Sequence, residues 1–192
     1  ERILILVPDS LQYQWMIEMR RRFNLQFSLF DLTRTASIKE HDPDLNPFLT
    51  EQCIIASVDL MVDHEDLREQ AVEAGFDLLV VDEAHHLMWS EEDGGNDRYD
   101  LVEELAEQTA GVLLLTATPE QLGVESHFAR LRLLDPQRFS SLDRFLDEEE
   151  QYQHTAKIAE VLMSDEALTE EHLVALDGLL GHRIDDQPEQ RM

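Results

Sequence analysis

Five short stretches dominated by apolar residues punctuate the chain, and polar or turn-forming residues close each one: Ile3 to Val7, Phe27 to Phe30, Cys53 to Ala56, Leu78 to Val81 and Gly111 to Leu115. Apolar runs that do not alternate predict strands buried on both faces, because a strand with one wet face would alternate with polar residues. Helical stretches separate them. Behind Pro8-Asp9-Ser10, residues Leu11, Trp15, Met16, Met19 and Phe23 recur at helical spacing, which predicts a helix from about Leu11 to Arg22. The stretch from Asp59 to Ala74 is helical by composition and stops at Gly75, and Tyr99 to Gln108 reads as a third helix. Residues 31–50 hold two prolines and no sustained period, so they read as a long loop with room for a helical turn. Ser90 to Asp97 reads as a polar, glycine-containing loop.

Strands that alternate with helices predict an α/β fold, a parallel sheet covered by helices on both faces with right-handed crossovers. That organisation is expected over residues 1–135. After Pro136 no strand-like run occurs, and helix formers with acids continue through Glu149, Glu160 and Glu171. Residues 136–192 are expected to form a small acidic helical extension that frays from Asp185 onward.

Charge changes this picture more than length does. The net charge is −27, with six basic and seven acidic groups in residues 1–50 and nine and thirty-five in residues 51–192. Such acidity opposes non-specific attraction to DNA, so any nucleic-acid contact has to be local. A solvated acidic face is the plain reading of the surplus, and docking to a basic protein is the competing one. The single cysteine, Cys53, permits no internal disulfide and falls in an apolar run, which predicts a buried, inert thiol and fits a reducing cytosol. No stretch approaches the ~18 consecutive apolar residues of a membrane span, and no basic-then-apolar leader precedes the first strand. The chain enters a strand directly at Glu1-Arg2, so it is expected to be a piece of a longer protein.

The candidate chemistry lies at two strand ends. Leu78-Leu79-Val80-Val81 is followed at once by Asp82-Glu83-Ala84-His85, and the run ending at Leu115 is followed by Thr116-Ala117-Thr118-Pro119. The carboxyl edge of an open α/β sheet is where ligands sit. An aspartate there can hold Mg²⁺ while a neighbouring glutamate polarises the water that attacks a γ-phosphate. Asp82 and Glu83 suit these two roles, with His85 able to couple the pocket to the Thr116 and Thr118 hydroxyls. The plainer alternative is that Asp82-Glu83 caps a helix and the histidines lie on its surface. A zinc site at His85-His86 is disfavoured because no Cys or distant His has helpful spacing. Calcium at the acidic 143–150 stretch is disfavoured because that stretch lacks EF-hand ligand alternation.

Taken together, these strings resemble the first RecA-like lobe of a superfamily-two helicase or translocase. Asp82-Glu83-Ala84-His85 resembles motif II (Walker B), and Thr116-Ala117-Thr118 resembles motif III. Val7-Pro8-Asp9-Ser10-Leu11 with Gln14-Trp15 resembles motif Ia of the Swi/Snf-type double-stranded DNA translocases, and Ile55-Ala56-Ser57-Val58-Asp59 takes the place of motif Ib. The order holds from about residue 1 to 135. Within that family the similarity is greatest to the bacterial RNA polymerase-associated ATPases. It is carried by Asp82 to Leu87 with Trp89-Ser90-Glu91, by Leu115 to Gly123, and by Glu125 to Arg132.

The resemblance implies an ATP hydrolase using ATP and Mg²⁺, with Asp82 on the metal, Glu83 activating water, and His85, Thr116 and Thr118 coupling hydrolysis to movement. It also implies double-stranded DNA and RNA polymerase as partners in the bacterial cytosol, with a role in polymerase recycling during transcription. Motifs Ia and Ib place Pro8, Ser10, Gln14 and Ser57 along the DNA track, where backbone N–H groups and side chains reach phosphates. Arg20-Arg21-Arg22 reads equally well as a phosphate contact or as cations complementing a helix C-terminus. Trp15 falls on the apolar helix face and reads as core, and Trp89 is expected to pack against the same lobe.

The chain departs from the family pattern in one respect that bears on activity. No G-x-x-x-x-G-K-[ST] phosphate loop occurs in it, and the resemblance places that loop upstream of Glu1 and the hydrolytic arginines in a second lobe. This piece alone is therefore expected to hydrolyse no ATP. A DEAH-type RNA helicase lobe and an acidic module docking to RNA polymerase are the alternatives.

Overall fold

The computed structural model describes residues 1–117 and 123–163. These fall into two units, Glu1–Ser140 and the segment from Ser141 onward. In the first, β1 (Ile3–Val7) leads through a short 3₁₀ turn to α1 (Gln12–Phe23), then β2 (Ser28–Phe30), α2 (Leu32–His41) and β3 (Cys53–Ser57). There follow α3 (Val58–Asp63), α4 (Glu65–Ala74), β4 (Leu78–Val81), a small hairpin of β5 (Trp89–Ser90) and β6 (Gly94–Gly95), α5 (Asp97–Glu107), β7 (Gly111–Leu114) and α6 (Gly123–Leu134). The second unit's described part is α7 (Leu142–Met163), with an Arg144–Glu148 pair one turn apart at 3.0 Å.

Five strands form one parallel sheet in the order β2-β3-β1-β4-β7. The α/β class expected from the apolar runs is therefore observed. The period-two alternation of the strands divides the core into two layers. Leu4, Leu6, Ile54, Ala56, Leu79 and Val81 face one way, against Met61 of α3, Leu67 and Ala71 of α4, Leu101, Val102 and Leu105 of α5, and Ala129 and Leu133 of α6. Ile5, Val7, Ile55 and Val80 face the other way, where Leu11, Trp15, Met16 and Met19 from the α1 region cover them. Because all five strands of this sheet run in one direction, the residues following β1, β3, β4 and β7 all emerge along one edge.

Several local expectations are corrected. Residues 31–50 are not a long loop. Asp31 accepts the Arg34 N–H at 2.8 Å as an N-cap and starts the ten-residue α2, and Asn46 caps a 3₁₀ turn whose Phe48 is fully buried. The helix read over Asp59–Ala74 is two helices, broken at His64, which adopts an extended conformation (φ −131°, ψ 90°). The expected loop at Ser90–Asp97 holds the β5–β6 hairpin instead. Cys53, expected buried, is half-buried at the start of β3, where the burial pattern of the strand is still incomplete. Arg20, Arg21 and Arg22 do occupy the last turn of α1, where cations meet the negative end of the helix.

The hairpin is packed tightly where it meets α5. A Cβ built on Gly95 would lie 2.3 Å from Asp100 Oδ1 and 2.5 Å from the ring of Tyr99, which is buried to 1% exposure. The aspartate can swing aside, but the tyrosine ring cannot. Gly95→Ala is therefore expected to destabilise the fold by about 1–3 kcal/mol, as overpacking does, in urea unfolding of the protein. The same burial pushes the Tyr99 phenol up to about 12.

Candidate functional site

The edge at the strand ends gathers the residues singled out by sequence. Asp82 leaves β4 with its N–H bonded to the Leu6 carbonyl at 2.9 Å, which extends the β1–β4 ladder up to the acid. Glu83 then turns the chain. Its backbone lies in the left-handed region (φ 52°, ψ 42°), a conformation costing roughly 1–2 kcal/mol for a residue with a Cβ. Only a three-residue 3₁₀ turn, Ala84–His86, follows, and the Glu83 side chain makes no capping bond to it. The plain helix-cap reading of Asp82-Glu83 is thus not what the structure adopts.

The turn brings motifs II and III together through the backbone. Leu115 N–H donates to Val81 C=O at 2.8 Å, and Ala84 N–H donates back to Leu115 C=O at 2.8 Å. Thr116, the next residue, is half-buried beside the Asp82-Glu83 turn. Thr118 lies outside the described residues. His85 Nδ1 approaches Glu83 Oε2 to 3.0 Å, and its ring packs on His86 with centroids 4.0 Å apart.

A cavity of about 220 Å³ opens beside the acids, lined by Pro8, Val58, Asp59, Val81, Asp82, Glu83, His86, Leu87 and Arg98. Motif Ia contributes Pro8, motif Ib contributes Val58 and Asp59, and motif II contributes both carboxylates. A larger groove of about 740 Å³ runs past Asp31, Arg34 and His41, but it takes no residue from these strand ends. The smaller cavity is therefore the better candidate, because it holds the convergent polar groups.

Of the residues placed on the expected DNA track, Ser10 and Gln14 are exposed and Pro8 is half-buried. Ser57 is 2% exposed and its hydroxyl has no hydrogen-bond partner, so its side chain does not reach the surface here.

Four further residues shape the site. Trp15, expected as core, does pack its ring against the sheet, yet its Nε1–H donates to Asp82 Oδ2 at 2.7 Å. Asn96 accepts the Tyr99 N–H at 2.9 Å to cap α5 while its own amide donates to the His86 carbonyl at 3.0 Å, which ties the hairpin and α5 to the motif II turn. Arg98 pairs with Asp59 at 2.6 Å on the cavity wall. The requirement of a half-buried indole N–H for an acceptor was a signal for Trp15. Asp59 already stood in the motif Ib string, and Asn96 sits three residues before Tyr99 as an N-cap, so only Arg98 had no local marker.

His86 gives the site a pH signature. Desolvation of its imidazole, followed by its electrostatic interaction with His85 and with the Arg98 guanidinium, holds its pKa below the ordinary 6.5. The fold favours neutral His86, so its contribution is intact above pH 6.5 and is lost as pH falls below 6.5 toward the depressed value. His86→Asn is expected to flatten the stability-versus-pH curve just below pH 6.5, read by urea unfolding at a series of pH values.

The donor set suits a hard cation poorly served by protein alone. No group of three or more Asp, Glu, His or Cys residues able to hold a metal ion occurs among the described residues. One carboxylate with a second beside it matches Mg²⁺, which commonly takes one or two carboxylates and completes its shell with phosphate oxygens and water.

The chain is 52% identical over 183 residues to the RNA polymerase-associated protein RapA of Cronobacter sakazakii, covering 95% of this chain and 19% of that protein. Against RapA of Yersinia pseudotuberculosis it is 52% identical over 187 residues, covering 97% of the chain and again 19% of the relative. The chain thus spans about one fifth of the length of these relatives. The family model for the SNF2-related domain matches residues 1–179, and with the parallel sheet and the motif II and III strand ends side by side, the chain belongs to the SNF2-related domain family.

Proposed function

We propose that the chain forms the first RecA-like lobe of an ATP-dependent double-stranded DNA translocase that associates with RNA polymerase and promotes its recycling in transcription. The observation that carries this reading is the pairing of Asp82-Glu83 with the motif III strand through the Ala84–Leu115 hydrogen bond, beside a cavity that motifs Ia and Ib also line. The relatives' name supplies the polymerase, and the SNF2-related domain supplies the expectation of nucleotide and duplex DNA.

In this reading Asp82 would hold Mg²⁺, and the ion, when bound with ATP, neutralises charge developing on the phosphates. Glu83 takes the proton of the attacking water and holds it at its carboxylate, with His85 Nδ1 close enough to answer a change in that charge. Thr116 lies one residue beyond the carbonyl that accepts the Ala84 N–H, so a shift of the motif II turn moves the motif III strand with it. Thr118 is proposed as the second coupling hydroxyl, and Pro8, Ser10, Gln14 and Ser57 as the DNA-facing set, with Ser57 acting through its backbone. All this is placed in a bacterial cytosol.

The phosphate loop is absent from residues 1–192, so the piece alone is predicted to hydrolyse no ATP while the intact protein does. Radiolabelled-ATP turnover by both preparations checks this, and turnover by residues 1–192 that is lost in Glu83→Gln would contradict it. A second reading rests on the charge of residues 136–192, fourteen acidic against five basic groups, and makes that stretch a surface meeting a basic face of the polymerase. Capture of polymerase by residues 1–192 but not by 1–135 is the expected result, and equal capture or none removes the docking role.

A further inference from the structure

The carboxylate of Asp82 is held from two directions. Its Oδ1 accepts the Glu83 N–H at 2.9 Å, and its Oδ2 accepts the indole Nε1–H of Trp15 at 2.7 Å, across 67 residues of sequence. The first donor belongs to the motif II turn itself. The second arrives from α1, which is seated on the sheet through Leu11, Met16 and Met19 beside the Trp15 ring. An indole N–H can only donate, so an acceptor has to stand where Asp82 stands. Each carboxylate oxygen has two acceptor directions, and these two bonds occupy one on each. The other two directions remain available, in a plane that the two donors fix.

We propose that Trp15 is a positioning residue, whose indole N–H sets the orientation of the Asp82 carboxylate so that its remaining lone pairs address a divalent cation carried by the nucleotide. The inference rests on the proposed function, since it takes Asp82 as the metal ligand. A tryptophan serving only as packing would be replaceable by any ring of similar shape. A tryptophan holding a metal carboxylate would not, because a partner that orients a metal ligand typically contributes about 10- to 100-fold in metal affinity or activity. The bond is short and has an ionised acceptor, which makes it stronger and more directional than a neutral pair.

The test uses the intact protein with Trp15→Phe, with benzothienylalanine placed at position 15, and with Asp82→Asn. Benzothienylalanine keeps the shape of the indole and lacks its N–H, so it separates the hydrogen bond from the packing if Trp15→Phe folds poorly. Affinity for Mn²⁺ in the presence of ATP is read by electron paramagnetic resonance, and the Mg²⁺ dependence of turnover is read beside it. Both Trp15 replacements are expected to weaken Mn²⁺ binding about 10- to 100-fold and to raise the Mg²⁺ needed for half-maximal turnover by the same factor, with kcat recovering at saturating cation. Wild-type Mn²⁺ affinity in the benzothienylalanine protein, together with loss of affinity in Asp82→Asn, overturns the positioning role and leaves the site reading standing. Unchanged affinity in Asp82→Asn overturns both.

Discussion

Glu83→Gln in the intact protein is expected to lower ATP turnover by about a hundred- to ten-thousandfold, the span associated with a positioned general base, while ATP binding persists. The two side chains are nearly the same size, and both carry the same backbone cost at φ 52°, so the turn between β4 and the 3₁₀ segment should survive the exchange. What is lost is the capacity to take a proton. The substitution also removes the negative charge that faces His85 Nδ1 at 3.0 Å. Filter binding of ATP and steady-state turnover, measured side by side, separate a catalytic defect from a folding defect. Turnover equal to wild type would remove Glu83 from the role given to it.

Phe48→Ala is expected to destabilise the fold by about 3–5 kcal/mol, the range for removing a fully buried aromatic ring, measured as a shift in the urea midpoint. Phe48 has no exposed surface, its ring meets Phe30 at 5.3 Å between centroids, and its carbonyl accepts a hydrogen bond from Arg2. The size of the effect discriminates between two pictures of residues 31–50. A surface loop tolerates such a change within about 0.5 kcal/mol, whereas the packed arrangement does not.

That segment shows where a reading of sequence stops being sufficient. The five strands are legible because a parallel sheet covered on both sides turns its strands into unbroken apolar runs. The first helix is legible because Leu11, Trp15, Met16 and Met19 have one face to bury. Over Leu32–His41 only Thr35 is fully buried, with Ile38 packed against the core, so no apolar period announces α2. The signal that could have found it was the Asp31 cap, three residues before Arg34, and the Asn46-Pro47 pair announces the next turn in the same way. The break at His64 had no such marker.

The site divides along the same line. Asp82, Glu83, His85 and Thr116 adjoin strand ends, so a linear motif reaches them. The Trp15 contact with Asp82 depends on α1 crossing the sheet at one particular place, and the Arg98–Asp59 pair and the Asn96 bridge depend on how α5 packs against α3 and the motif II turn. These are products of tertiary packing, and no local pattern encodes them. Ser57 makes the converse point: its position in motif Ib suggested a surface contact, but the end of β3 is still inside the core.

The central claim is that this lobe belongs to an ATPase that drives movement on duplex DNA. It is tested most directly by ATP turnover of the intact protein without nucleic acid, with duplex DNA and with single-stranded RNA. The account predicts turnover that rises with duplex DNA and not with RNA, and that collapses in Glu83→Gln. Stimulation by RNA alone, or turnover indifferent to Glu83, would contradict it.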